Sequence, residues 1–202
     1  ECKMEKITAL IAIAIFFGLL GGFLANIFLE DYNSENSLIK EFYLTENAVH
    51  ISPHSLRLNM DKGVDNYVLV DVRSQEEYEK EHIIGAINIP AYKDKKTPAY
   101  DETERIVKEF SALPKNKEII VYCYSMPCMS GRKIGKLLVE NGIYVKQLGI
   151  GWNEWRYDWN NWNHEFEWEI TDVKDYIYQG KESGKPKLKI NSTSCSLGSI
   201  GC

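Results

Sequence analysis

From Ile7 to Leu29 the chain is apolar almost without a break, Thr8 and Asn26 being the polar exceptions. As a helix rising about 1.5 Å per residue, such a stretch would run about 34 Å, enough to cross a hydrocarbon core of about 30 Å. Lys3 and Lys6 precede it, and Glu30 and Asp31 follow it. That asymmetry predicts a cytoplasmic N-terminus with the remainder outside, periplasmic or extracellular. The competing reading is a cleaved signal peptide, but its best site, after Ala25, has Phe23 where a small residue is needed. The pattern therefore predicts an uncleaved single-pass transmembrane helix, with residues 1–29 as membrane anchor.

Residues 30–47 are polar and acidic and read as a juxtamembrane linker. From His50 the period changes. Ile51 opens a strand, and Ser52-Pro53 supplies a cap and first-turn proline for a short helix through Leu58. Tyr67–Asp71 reads as a buried strand, and Ser74 with Glu77 makes a capping box for the next helix. Ala86–Ile89 forms a third strand ended by Pro90, and Ile106, Val107, Phe110 and Leu113 give an amphipathic helix over 103–113. Ile119–Tyr122 is a buried strand again; Ile134, Leu137 and Leu138 recur at helical spacing, and Tyr144–Leu148 closes the series before a helical segment at Trp152–Trp155. Strands alternating with helices predict an α/β domain, a parallel sheet flanked by helices on both faces, over residues 48–160. Residues 161–202 then form an extension, flexible beyond Tyr178. Trp155 and Trp159, at i, i+4, pack a terminal helix on the sheet.

The balance of 24 basic against 29 acidic residues argues against nucleic acid as a partner. Five cysteines is an odd count, so at least one is unpaired within the chain.

Chemistry concentrates between the strand at 119–122 and the helix after it. Cys128 stands just before a helix start and is followed by Met129, Ser130, Gly131, Arg132 and Lys133. A thiol attacks as its thiolate, which a helix N-terminus and nearby cations stabilise. The unpaired amides there can also hold an anion against the sulfur. In a parallel sheet, ligands belong at the carboxyl ends of the strands, where this loop lies. Asp71 and Arg73 at another strand end read as a structural ion pair rather than a catalytic one. His82 reads as a hydrogen-bonded structural histidine rather than a base.

Three segments carry a resemblance. Asp71–Pro90 is similar to the rhodanese-domain signature D-x-R-x-x-x-E-[FY]-x-x-x-H-I-x-G-A-x-[NH]-[IL]-[PS]; Leu148–Trp155 resembles the closing L-x-G-G-x-x-x-W, with Ile150 replacing one glycine; and Cys128–Lys133 resembles the loop C-R-S-G-x-R. The resemblance implies a rhodanese-like fold with a five-stranded parallel sheet. It also implies a sulfurtransferase that takes sulfane sulfur from thiosulfate or a related small anionic donor onto a cysteine. A thiol or cyanide-like acceptor then removes the sulfur. No metal or organic cofactor is implied. Amides from Met129 to Lys133 would bind the donor, and Arg132 and Lys133 would attract it. In most of the family the nucleophile follows directly on the strand, where Cys123 stands; the Cys-x-Ser-Gly-x-basic pattern selects Cys128. Cys128 is preferred, with Cys123 either a resolving thiol or a buried small residue. Phosphatase or arsenate-reductase chemistry needs cysteine, five residues and arginine, which neither cysteine has before Arg132. The competing functions are a catalytically silent binding or redox-sensing module and a thiol–disulfide exchange protein. Cys195 and Cys202 in the tail would offer a disulfide, or thiols for a redox partner.

Overall fold

The computed structural model describes residues 2–32 and 34–189, the side chains of 2, 3, 5, 6, 8 and 26–32 excepted. Cys195 and Cys202, and the tail expected to be flexible around them, lie outside the described residues. The chain divides into two compact units, residues 1–48 and the rest. In the first, α1 runs Cys2–Tyr32. Every described side chain from Ala9 to Ala25 is apolar and exposed. The expected transmembrane helix gains no support from this unit: among the described residues, no helix is long and apolar enough to cross a membrane. The unbroken described stretch Ala9–Ala25 would span only about 25 Å, and the expectation for residues 26–29 falls on side chains outside the described set. The segment read as a linker is largely helical, α2 covering Glu35–Val49. Ser34 caps it by accepting the Ser37 N–H at 3.2 Å.

In the second unit, β1 (His50–Ile51) leads to α3 (Pro53–Lys62). The Ser52 hydroxyl accepts the Ser55 N–H, and Gly63 ends the helix at φ 67°, a left-handed conformation that suits glycine. Then follow β2 (Tyr67–Asp71), α4 (Gln75–Lys80), β3 (His82–Ile83), β4 (Ile87–Asn88) and α5 (Thr103–Ser111). The central strand β5 (Glu118–Tyr122) precedes α6 (Met129–Glu140), β6 (Lys146–Leu148), α7 (Trp152–Tyr157), α8 (Trp159–Trp162) and β7 (Ile177–Tyr178). Five strands form one sheet in the order β1-β6-β5-β2-β4, every pair parallel.

Alternation along β5 divides the core. Ile120 and Tyr122 join Leu56, Met60, Trp155 and Trp159 on one face, while Ile119, Val121 and Cys123 join Phe110, Ile134 and Leu138 on the other. Each face is thereby covered by helices, as a parallel sheet requires. Trp155 and Trp159 meet edge-on at 5.7 Å and pack as their spacing predicts, and Trp162 stacks on Trp155 at 4.9 Å.

Two local expectations need correction. The capping box at Ser74 is not made: the Ser74 hydroxyl donates to the Glu77 carboxylate at 2.6 Å instead of accepting an amide. The residues after Trp162 pack on the domain at least to Lys189. β7 pairs antiparallel with β3, Gly180 N–H reaches Glu79 O at 2.8 Å, and Lys189 N–H reaches Asp61 O at 3.0 Å. A buried polar clasp fastens this extension to α3. Glu167 accepts from Arg57, from His54 Nε2 at 2.9 Å and from the His164 N–H at 3.2 Å. Tyr176 donates to Asp61 at 2.7 Å.

Candidate active site

The loop between β5 and α6 brings the two thiols together. Cys123 ends the buried strand, 1% exposed, and Cys128 sits at the N-cap of α6, half-buried. Their sulfurs lie 3.1 Å apart. Both are free thiols.

Acidity separates them. Burial pushes the Cys123 thiol up, and contact with Cys128 pushes it further. Burial opposes ionisation of Cys128 as well, but it is outweighed by the Cys123 S–H, the Ser130 N–H and hydroxyl and the Tyr124 N–H, so its pKa falls below the ordinary thiol value. Cys128 is therefore the more acidic of the two thiols, and Cys123 is the donor to its ionised form. No standard capping bond closes on the Cys128 side chain; these donors act by pointing their positive ends at it.

Ser130 is itself held. Tyr92 and Tyr100 hydroxyls reach its oxygen at 2.5 and 2.9 Å. When both phenols donate to its two lone pairs, the serine's own proton is free for the Cys128 sulfur. Tyr124 hydrogen-bonds to Glu77 through its hydroxyl, which fixes the loop to α4.

On the opposite side the loop rests on the start of α7. Trp152 and Asn153 N–H groups donate to Cys123 O and Tyr124 O, both at 2.8 Å. The Glu154 carboxylate accepts from Gly151 N–H at 2.9 Å and Met126 N–H at 3.1 Å. Gly151 passes so close that a Cβ there would lie 2.2 Å from the Ser125 nitrogen.

The remaining expected site residues fall differently. Of the amides predicted over 129–133, that of Ser130 acts on the sulfur, joined by Tyr124 from the strand side. Gly131 is buried, a Cβ there lying 2.8 Å from Gln147, and Met129 is exposed. The two cations do not face the thiols. Arg132 turns back to Met126 O at 2.9 Å and Cys128 O at 3.3 Å, and Lys133 lies 4.9 Å from the Tyr100 ring centre. Clefts lie elsewhere: one of about 830 Å³ runs along Gln75, Asn88 and Arg105, one of about 530 Å³ lies at Glu81, Arg156 and Tyr178, and an apolar one of about 440 Å³ touches α6 through Gly131 and Arg132 without reaching either sulfur.

Asp71 and Arg73 form a buried pair, Nη2 to Oδ2 at 2.7 Å and Nε to both oxygens at 3.1 Å. Tyr122 donates to Asp71 at 2.7 Å, Arg73 donates to Glu81 O, and the guanidinium lies 4.4 Å from the Trp152 ring centre. His82 Nδ1 lies 2.7 Å from Tyr78 O, and its ring stacks on Tyr78. Burial lowers its pKa and keeps it neutral. Among the described residues, His54, His164 and Glu167 bring ligand-type atoms within 4.8 Å of one another. The Arg57 charge on Glu167 opposes a cation there, so the group serves as a clasp.

The sequence does not single out Tyr92, Tyr100, Tyr124 or Glu154, and it marks Glu77 only as a helix cap. The signal for Glu154 was its place three residues after Gly151, at the start of a helix; the tyrosines carried none, since only the fold brings their loops together.

Comparison with known proteins agrees with this architecture. The BH2092 protein from Bacillus halodurans superposes with a TM-score of 0.50 at 22% identity, over 68% of this chain and 100% of that one. A rhodanese with anions from E. coli is 30% identical over 42% of this chain and 86% of its own, with a TM-score of 0.30. Among curated proteins, the HTH-type transcriptional regulator Rv0324 of Mycobacterium tuberculosis (strain ATCC 25618 / H37Rv) is 33% identical over 88 residues, 44% of this chain; the chain spans about a third of that regulator's length. The rhodanese-like domain pattern matches residues 52–158. Because that match takes in just over half of the sequence and every strand of the five-stranded sheet except β1, the chain belongs to the family of rhodanese-like domains.

Proposed function

We propose that the protein is a sulfurtransferase in which Cys128 accepts sulfane sulfur from thiosulfate or a related small anion and passes it to a thiophilic acceptor. The observation that carries this reading is the Cys128 sulfur at the start of α6, 3.1 Å from the Cys123 sulfur, with its thiolate form favoured by the Cys123 thiol, Ser130 and the Tyr124 amide. Attack of the thiolate on the outer sulfur of thiosulfate forms the Cys128 S–S bond and breaks the donor's S–S bond, expelling sulfite with the electron pair. The persulfide anion then lies among the same donors that held the thiolate. A half-buried sulfur suits a small donor and an acceptor that brings its own nucleophile. The test is mass spectrometry of the reduced protein after incubation with thiosulfate. One added sulfur atom, mapped to Cys128, retained in Cys123→Ser and lost in Cys128→Ser, is the expected result. No gain in any form would leave a rhodanese-type binding module.

We also propose that α1 attaches this domain to a membrane. Support comes from the apolar sequence over 7–29 and from side chains apolar on every side over Ala9–Ala25, a surface that water does not tolerate uncovered. Retention of the full chain in the membrane pellet through an alkaline wash tests this; release into the supernatant would refute it.

A further inference from the structure

Sulfur acceptance at Cys128 has no need of a second thiol, yet Cys123 is held against it. Its carbonyl accepts the Trp152 N–H at 2.8 Å, its side chain is buried in the core on the α6 side, and its sulfur touches that of Cys128 at 3.1 Å. A buried cysteine usually acts as a small hydrophobe; this one faces a reacting atom.

Loading with sulfur changes what it faces. The Cys128 sulfur becomes the inner atom of a persulfide, and the negative charge moves to the outer sulfur. Inner sulfurs are electrophilic toward thiols, and the outer sulfur is a good leaving group as hydrosulfide. We propose that Cys123 resolves the Cys128 persulfide within the chain, releasing hydrosulfide and leaving a Cys123–Cys128 disulfide for a dithiol reductant to reopen. This rests on the sulfur-acceptance reading above and assigns its acceptor. The Cys123 sulfur attacks the inner sulfur; the new S–S bond joins residues 123 and 128, and the old bond between inner and outer sulfur breaks. The outer sulfur leaves with that electron pair and takes the Cys123 proton, so a persulfide anion and a thiol become a disulfide and HS⁻. The sulfane sulfur is reduced by two electrons and the two thiols are oxidised by two. Bonding distance is about 2.05 Å, so the sulfurs close by about 1 Å from their present contact, a movement open to Cys128 at the free end of the helix.

Exposure orders the second half. Cys128 is half-buried and Cys123 is covered, so an incoming dithiol attacks the Cys128 sulfur and Cys123 departs as the thiol. A second thiol of the reductant then displaces Cys128, regenerating both thiols and oxidising the reductant.

The test uses the full chain, reduced and freed of reductant, with thiosulfate alone. Expected is release of about one sulfide per protein, with the protein ending two hydrogens lighter and the peptides carrying Cys123 and Cys128 linked. Peptide mapping separates this from pairing among Cys2, Cys195 and Cys202. Cys123→Ser and Cys123→Ala, which lose the thiol that favours the Cys128 thiolate, should gain sulfur more slowly but, once loaded, keep it and release sulfide at least about tenfold more slowly than the loaded wild type, with melting curves confirming that each is folded. Sulfide release from both variants at the wild-type rate, or a wild-type persulfide that persists without release, overturns the proposal while leaving sulfur acceptance intact. Failure of all forms to gain sulfur defeats the acceptance reading, and this inference with it.

Discussion

Replacing Gly151 by Ala tests how closely the thiol loop is positioned. The backbone at Gly151 (φ −109°, ψ −168°) is extended and open to alanine, so no conformational strain is added. The whole effect is steric. An added Cβ would stand 2.2 Å from Ser125 N, 2.4 Å from Ser125 Cα and 2.6 Å from Tyr124 C. These neighbours are backbone and cannot rotate aside. Relief to a separation above about 3 Å requires the loop to retreat by about 1 Å, and overpacking of this kind costs about 1–3 kcal/mol. The retreat carries Cys123 and the Tyr124 amide, which both hold the Cys128 charge, because their carbonyls are bonded to Trp152 and Asn153 at the same junction. A misplacement of about 1 Å is worth about 10²-fold in rate. The assay is the rate of sulfur gain from thiosulfate, measured beside the melting temperature. A folded Gly151→Ala protein within about threefold of the wild-type rate would refute the claim that this close approach sets the loop.

Glu167→Gln should destabilise the domain by about 3 kcal/mol, since Arg57 would stay buried with only Asp61 as a charged partner, at 3.4 Å. Burial alone would raise the Glu167 pKa, but Arg57 and His54 hold it below the carboxylate range, and burial lowers that of His54. Both depressed groups add stability that is present above their unfolded pKa values and lost as pH falls through the folded ones; the variant should flatten that acid limb in pH-dependent melts. Ser130→Ala should move the alkylation profile of Cys128 to higher pH, and Tyr92→Phe should move it less; an unchanged profile in both would remove the serine from the site. Arg132→Ala should change Cys128 alkylation by less than about threefold, and added salt should shift it little, because the exposed guanidinium is committed to carbonyls. Gly135→Ala, whose Cβ would meet only Val145 at 3.9 Å within α6, should raise stability by about 0.5–1 kcal/mol and leave sulfur gain unchanged.

The sheet is legible because its strands are apolar runs separated by helices with their own apolar spacing. β2 and β5 fall where Tyr67–Asp71 and Ile119–Tyr122 place them, within a residue. The ends were less so: β4 is only Ile87–Asn88, and β6 starts at Lys146 because Tyr144 stays in solvent at 78% exposure. The stretch after Tyr178 reads as flexible because it is rich in lysine, glycine and serine, while the anchorage of its described part comes from contacts distant in sequence, Gly180 N–H to Glu79 O and Lys189 N–H to Asp61 O, beside the clasp of Tyr176 to Asp61 and Glu167 to Arg57. The polar stripe His54, Arg57, Asp61 along one side of α3 was the available clue. At the site, the two thiols picked from the sequence lie together and Ser130 acts on the Cys128 sulfur, but Arg132 and Lys133, expected to stabilise its charge, are engaged elsewhere.

That last difference has a physical origin. The five-residue step from Cys123 to Cys128 lets the chain leave the strand, turn through Pro127 and start α6 with a thiol as its N-cap. Side chains at positions 132 and 133 then emerge a full turn along the helix, and both are exposed. Two exposed cations act through a high dielectric that salt screens further. A thiol, a hydroxyl and two amides act at contact range without carrying charge of their own. Short-range dipoles therefore hold the negative sulfur here, and they belong to a loop fixed at both ends, by Glu77 through Tyr124 and by Glu154 through Met126. The acidity of Cys128 is thus a property of how that loop is pinned, which is why a methyl group at Gly151, touching neither sulfur, should change it.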